Sequence, residues 1–131
     1  MIGIDTNVLV RFLVRDDEAQ FQRALKLIRR EISAGRQVFV SLLVLLETEW
    51  VLRSRYNSRK HEIIAVVSGL LEAADAQFED EAAVEEALFV WKDNSVGFTG
   101  CLISARNRRL GCTATATFDA EAYRLPGFVA A

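Results

Sequence analysis

The sequence contains few of the residues that would cross-link, divide or anchor a chain. Its two cysteines, Cys101 and Cys112, have neither CxxC nor zinc-type spacing, so a disulfide framework is excluded. The one proline is Pro126, and no linker or repeat interrupts the chain. No apolar run reaches the roughly 18 residues that a membrane-spanning helix needs, and the N-terminus lacks a signal-peptide pattern. These absences predict a cytoplasmic protein with no membrane segment.

What is present is enough apolar material for one core. The chain has 131 residues, of which 51% are hydrophobic, and this predicts a single domain over residues 1–131. The net charge of −2 does not exclude nucleic acid as a partner, because local patches matter more than the total. The only histidine, His61, has charged neighbours and is predicted to lie on an exposed helix surface.

Strand and helix patterns alternate along the chain. Short apolar or β-branched strands are predicted at 2–4, 38–40, 76–78, 113–118 and 128–130, with helical apolar stripes between them. Ser41 is predicted to cap a helix that directs Leu45 and Trp50 towards the core and also carries Glu47. This alternation predicts an α/β fold in which helices flank a parallel sheet.

Three acidic residues occupy positions that favour a shared site. Asp5 and Asp119 each follow a predicted strand, and Glu47 comes less than two helical turns after another. Parallel strands would bring such acids to one sheet edge, where they repel each other unless a cation or raised pKa values compensate. Oxygen ligands suit Mg²⁺ or Mn²⁺, and such a site can activate water. The alternative is three independent caps or solvated acids, and the residues alone leave both interpretations open.

Several segments, in this order, resemble one family. They are Asp5-Thr6-Asn7-Val8-Leu9-Val10-Arg11-Phe12, Val44-Leu45-Leu46-Glu47-Thr48-Glu49-Trp50-Val51-Leu52, Arg109-Leu110-Gly111-Cys112, Thr117-Phe118-Asp119 and Leu125-Pro126-Gly127-Phe128. Together they are similar to the PIN-domain ribonucleases of the VapC type, the toxins of type II toxin–antitoxin systems. The resemblance implies a three-layer α/β/α fold with a central parallel sheet. It also implies a divalent-metal-dependent endoribonuclease that cleaves RNA, forms homodimers and is neutralised by a cognate antitoxin.

The resemblance also assigns roles to residues. Asp5, Glu47 and Asp119 match catalytic and metal-binding acids, with Mg²⁺ or Mn²⁺ as the expected cofactor. Polar positions that orient ligands or water are matched by Thr6, Asn7 and Thr117.

The chain departs from the family pattern at residues 97–103. The family has Asp, Phe, a small residue and Asp at the start of this helix, whereas this chain has Gly97-Phe98-Thr99-Gly100. Glycine has no side chain that can coordinate a metal, so we expect impaired cleavage. The glycines are consistent with a deliberately disarmed toxin or a natural loss of activity; Asp93 lies too far upstream to be a good substitute. The alternative function is a catalytically inactive PIN domain that binds RNA or an antitoxin.

Basic residues and a third protein class complete the sequence-based predictions. Arg106, Arg108 and Arg109 are candidate contacts for RNA phosphates, or else a solvated helix face. A phosphotransfer domain also places an Asp after its first strand. A dehalogenase-type phosphatase would need a second Asp where this chain has Asn7, and a receiver domain would need paired acids and a late Lys that are lacking. This class is therefore disfavoured.

Overall fold

The computed structural model describes residues 1–131 as two compact units, Met1–Glu79 and Asp80–Ala131. The first unit contains β1 (Ile2–Gly3), α1 (Thr6–Leu13), α2 (Glu18–Ser33), β2 (Val38–Val40), α3 (Leu42–Arg55), α4 (Lys60–Glu72) and β3 (Ala76–Phe78). The second contains α5 (Glu81–Lys92), α6 (Phe98–Arg109), β4 (Thr115–Thr117), a 3₁₀ turn (Ala122–Arg124) and β5 (Phe128–Ala130). No helix has the length and apolar character needed to cross a membrane.

The first unit is built on a three-stranded parallel sheet. Its strand order is β1-β2-β3, with Ile2 paired with Val38 and Val38 paired with Ala76. Parallel neighbours need a crossover connection, and here α1 with α2, and α3 with α4, supply the crossovers. The helices cover apolar strand residues and form a core in which Val40, Leu45 and Ile63 are almost fully buried.

Side-chain caps and a glycine set the limits of the helices in this unit. Asp5 and Ser41 have extended backbones and accept hydrogen bonds from Val8 and Val44, which satisfies backbone N–H groups that have no partner within the helix. Gly35 follows the end of α2 with φ of +74°, a conformation that glycine adopts without strain. The predicted cap at Ser41 is therefore confirmed.

The second unit combines two packed helices with a parallel strand pair. β4 pairs with β5, with Thr115 opposite Phe128. Trp91 of α5 and Phe98 of α6 are in aromatic contact, with ring centroids 5.2 Å apart, and the small residues Ala83 and Ala87 are fully buried. Small buried residues allow helices to approach closely. The rings of Trp91 and Phe98 fill space in the core of this unit.

The predicted strands and the α/β class are confirmed. The observed strands fall within all five predicted segments, and every pair is parallel. They are divided between the two sheets, one in each unit. The prediction that Trp50 lies in the core is wrong, because its side chain is 48% exposed. On α3 the core face is formed instead by Leu45, Thr48 and Leu52.

A buried hydroxyl in α3 gives a testable prediction of stability. Thr48 is 1% exposed, and its Oγ1 has no hydrogen-bond partner. A buried polar group without a partner costs about 1–3 kcal/mol of desolvation energy. We therefore expect Thr48→Val, which keeps the shape and removes the hydroxyl, to raise the free energy of unfolding by about 1 kcal/mol in urea titrations. Thr48→Ser keeps the hydroxyl and loses a methyl group, so it should destabilise; stabilisation by both variants would contradict this explanation.

Candidate active site

Asp5 lies at the carboxyl edge of the three-stranded sheet. The register of β1 and β2 places Asp5 and Ser41 three residues beyond the paired positions Ile2 and Val38. The side chain of Asp5 is exposed, and its Oδ1 accepts the Val8 N–H at 3.0 Å. A carboxylate has two oxygens, so capping α1 with one leaves the other available for a ligand. The cap interpretation is thus confirmed for Asp5, and a second role remains compatible with it.

Glu47 is the exposed member of an acidic pair on α3. Its neighbour Glu49 is 3% exposed and forms an ion pair with Arg53 at 2.9 Å, so Glu49 is committed to the fold. The side chain of Glu47 is exposed, and none of the ion pairs in the structure involves it. Of the two acids, Glu47 is therefore the one available for chemistry.

Glu79 is an acid at a strand end that sequence reasoning missed. It directly follows β3, and its Oε1 accepts the Leu42 N–H at 3.1 Å at the start of α3. The signal was present, because Glu79 follows an apolar strand just as Asp5 does. Its carboxylate stabilises the positive end of a helix dipole, which gives this acid a structural role.

The polar residues beside Asp5 have different environments. Thr6 begins α1 and is 8% exposed, whereas Asn7 is exposed and lines a groove between α1 and α2. Asn7 is thus the one that can reach a ligand without rearrangement.

Asp119 lies in the second unit, in a turn after β4. Thr117 Oγ1 accepts the Asp119 N–H at 3.1 Å, and Asp119 Oδ1 accepts the Glu121 N–H at 3.0 Å. The carboxylate of Glu121 in turn accepts a hydrogen bond from the Ser95 hydroxyl at 3.1 Å. These local bonds fix the backbone around Asp119, whose side chain is exposed. Thr117 therefore positions Asp119 through the backbone.

Gly97 and Gly100 form the start of α6. Gly97 is the N-cap and supplies no side-chain hydrogen bond, and Gly100 lies one turn further on. A Cβ atom added at Gly97 would have no heavy atom within 4 Å, whereas one at Gly100 would lie 3.1 Å from Val96 Cγ1. The backbone therefore accommodates an aspartate freely at position 97, and at position 100 after a small shift of the Val96 side chain.

The three arginines predicted to contact RNA are all ion-paired. Arg106 and Arg109 both bond to the carboxylate of Asp80, and Arg108 bonds to Glu86. The Asp80 side chain is 4% exposed. Burial raises the pKa of Asp80, but hydrogen bonds from Arg106, the Ala83 N–H and Arg109 outweigh it and hold this pKa below its ordinary value. An RNA phosphate would have to compete with these carboxylates for each guanidinium group.

The carboxylates that are present do not complete a metal site. The structure contains no group of three or more His, Cys, Asp or Glu side chains that could hold a metal ion. Asp5 and Glu47 belong to the first unit and Asp119 to the second, so the convergence of these acids stays a prediction. Glycine at positions 97 and 100 supplies no further carboxylate.

The protein is an α/β protein with exposed acids at the ends of parallel strands, and comparison with known proteins identifies its family. The model of the PIN domain matches residues 2–127, so the chain belongs to the PIN-domain family. Among solved structures, the chain is similar to the Mycobacterium tuberculosis toxin VapC20, which cleaves the sarcin–ricin loop. That match has 19% identity and a TM-score of 0.44, and it covers 93% of this chain and 91% of the other. No curated protein matches the chain.

Proposed function

We propose that this chain is a VapC-type toxin, a divalent-metal-dependent endoribonuclease that cleaves RNA and whose active site is impaired. The observation that carries the proposal is the PIN-domain match across residues 2–127. Within the matched range, this chain has glycine at both 97 and 100, which supports the impairment. The exposure of Asp5, Glu47 and Asp119 supports their assignment as the remaining catalytic acids.

In this proposal the acids Asp5, Glu47 and Asp119 are the metal ligands, and Mg²⁺ or Mn²⁺ is the cofactor, since hard divalent cations prefer oxygen donors. Thr117 holds the turn that carries Asp119, and Thr6 and Asn7 follow Asp5 at the start of α1. Gly97 and Gly100 mark the vacant acidic positions.

The proposal extends to assembly and location. We propose a homodimer in the cytoplasm that is neutralised by a cognate antitoxin protein, with residues 1–131 acting as one PIN domain. Exposed apolar side chains, including Leu43 at 79% and Phe89 at 77%, offer surface for such partners.

The second candidate function is a catalytically inactive PIN domain that binds RNA or an antitoxin. The observation that favours it is the absence of any three-residue group able to hold a metal ion. An inactive domain that binds RNA differs from the enzyme only in whether the acids still support cleavage, and one that binds only an antitoxin would not retain RNA.

One assay separates the two candidates. We expect the unmodified chain to bind labelled RNA, and so retain it, in both Mg²⁺ and EDTA. We expect it to cleave this RNA slowly, if at all, and only with Mg²⁺. Cleavage that is lost in EDTA and in Asp5→Asn and Asp119→Asn supports the enzyme. Retention without any cleavage supports the binding module. Failure to retain RNA, or cleavage that persists in EDTA, would contradict the proposed function.

A further inference from the structure

A groove runs between α1 and α2 of the first unit, on the side of the helices that is open to solvent. Its volume is about 570 Å³. The walls are polar and basic, while Val8 and Leu27 contribute apolar surface. Its polar lining consists of Asn7, Arg11, Gln20, Arg23, Lys26 and Arg30.

Three of the four cations that line this groove form no ion pair. Residues 19–30 include four cations and no acid, although the whole chain has a net charge of −2. Arg23, Lys26 and Arg30 form no ion pair. By contrast, Arg11 pairs with Asp16 at 3.2 Å. A cluster of unpaired cationic side chains makes the local electrostatic potential more positive and attracts an anion.

The spacing of the three unpaired cations fits a chain of phosphates. Arg23, Lys26 and Arg30 are separated by three and four residues, so they lie on one face of α2. At 1.5 Å of rise per residue they span about 10 Å along the helix axis. A stacked nucleic-acid strand carries one charge per roughly 3.4 Å, so this face spans about four phosphates of a single strand.

One residue of the groove lies close to Asp5 in the sequence. Asn7, which is part of the lining, comes two residues after Asp5 in the first turn of α1, the helix that Asp5 caps. An anion bound beside Asn7 therefore lies near the first turn of α1, which Asp5 caps. The closeness of Asn7 to Asp5 favours the substrate of the proposed site over an acidic peptide, which would not need to approach Asp5.

We propose that the α1–α2 groove holds the phosphate backbone of RNA and directs the strand to Asp5, an inference that rests on the proposed function. Arg23, Lys26 and Arg30 contact phosphates within a stretch of about four nucleotides. Arg11 donates hydrogen bonds to Asp16 and to the Tyr56 hydroxyl, and these bonds fix its side chain in the lining of the groove. The amides of Asn7 and Gln20 can hydrogen-bond to ribose or base edges.

Binding measured without metal tests the groove independently of cleavage. Fluorescence anisotropy with labelled single-stranded RNA of about 12 nucleotides is recorded in EDTA across a range of salt concentrations. For the variant Arg23→Gln/Lys26→Gln/Arg30→Gln we expect Kd at about 0.1 M salt to rise at least tenfold. The slope of log K against log salt should become shallower by about 2, because each phosphate contact to a single strand contributes about 0.7.

Matched variants distinguish the effect of removing charge from the groove from the effect of removing the same number of charges elsewhere. The control Arg55→Gln/Lys92→Gln/Arg124→Gln removes three exposed cations elsewhere and should leave the slope close to that of the unmodified chain. The variant Arg23→Lys/Arg30→Lys keeps the charge and should keep the slope. Single variants Arg23→Gln and Arg30→Gln, each expected to reduce the slope by about 0.7, replace the triple variant if circular dichroism shows that it is unfolded.

The outcomes separate this inference from the proposed function. Equal loss of binding in the groove variant and the control would overturn the groove as the RNA site, while RNA binding by the unmodified chain would leave the proposed function intact. No RNA binding by the unmodified chain would overturn both. A polyglutamate peptide that binds the groove residues more tightly than RNA does would also overturn the inference, in favour of an acidic protein partner.

Discussion

Replacing Gly97 and Gly100 together by Asp is expected to raise Mg²⁺-dependent RNA cleavage by about 100-fold or more over the unmodified chain. Stabilising transition-state charge at a metal site contributes several kcal/mol, and each 1.36 kcal/mol corresponds to about a factor of ten in rate. The measurement is the initial rate of cleavage of a labelled RNA, with Mg²⁺ and with EDTA.

The local structure can accept both carboxylates. Position 97 has open space around the added Cβ, and the only close neighbour at position 100 is the Cγ1 of Val96, which belongs to a side chain and not to backbone. Gly97 is the N-cap of α6, where Asp is among the preferred residues. An acid in the first helical turn also interacts favourably with the helix dipole. The variant should therefore fold at least as well as the parent.

Two controls distinguish restored ligands from a general effect on the helix. Gly97→Asn/Gly100→Asn provides similar caps without negative charge and should remain as slow as the parent. Asp5→Ala in the Gly97→Asp/Gly100→Asp background should abolish the gain. If the unmodified chain cleaves RNA as fast as the double-aspartate variant, these glycines do not occupy the missing acidic positions.

Local features of the fold could be predicted from the sequence because they depend on neighbouring residues. The β-branched and apolar runs at residues 38–40 and 128–130 became strands, and Ser41 caps α3. Such signals reflect pleat, periodicity and capping, all of which operate within a few residues. The match to the PIN family across residues 2–127 confirmed the resemblance that was carried by other short segments, among them Asp5-Thr6-Asn7.

Features that depend on distant residues could not be predicted. Glu47 and Glu49 are two residues apart, and only packing shows that Glu49 is buried beside Arg53 while Glu47 is exposed. Trp50 was expected in the core from helical periodicity, but the apolar face of α3 is centred elsewhere. The engagement of Arg106 and Arg109 by Asp80 links positions far apart in the sequence, which no local pattern encodes.

The acid at position 80 should be the residue of the second unit most sensitive to substitution. Asp80 begins this unit in the left-handed conformation, with φ of +53°, and its Oδ1 accepts the Ala83 N–H at 3.3 Å as the cap of α5. The same buried carboxylate joins Arg106 and Arg109 of α6 to the start of α5. Asp80→Ala removes all of these interactions and leaves alanine in a conformation that costs about 1–2 kcal/mol.

We therefore expect Asp80→Ala to lower the free energy of unfolding by about 3 kcal/mol near neutral pH, combining the lost cap, the backbone strain and the partly exposed ion pairs. Asp80→Asn keeps the cap and tolerates the left-handed conformation, so about half of that loss is expected. Urea titration of both variants and the parent gives the comparison. A loss below about 1 kcal/mol for Asp80→Ala would show that the bonds to Arg106 and Arg109 contribute little to stability.

The pH dependence of the same difference tests the charge itself. The pKa of Asp80 is lowered by folding, so its contribution is fully present above the ordinary Asp pKa of about 4 and is lost as the pH falls through the lowered value. The stability difference between the parent and Asp80→Asn should therefore be constant between about pH 5 and 7 and should shrink below about pH 4. Asn does not titrate, so a difference that stays constant down to about pH 2 would mean that the carboxylate of Asp80 is not held ionised by its two arginines.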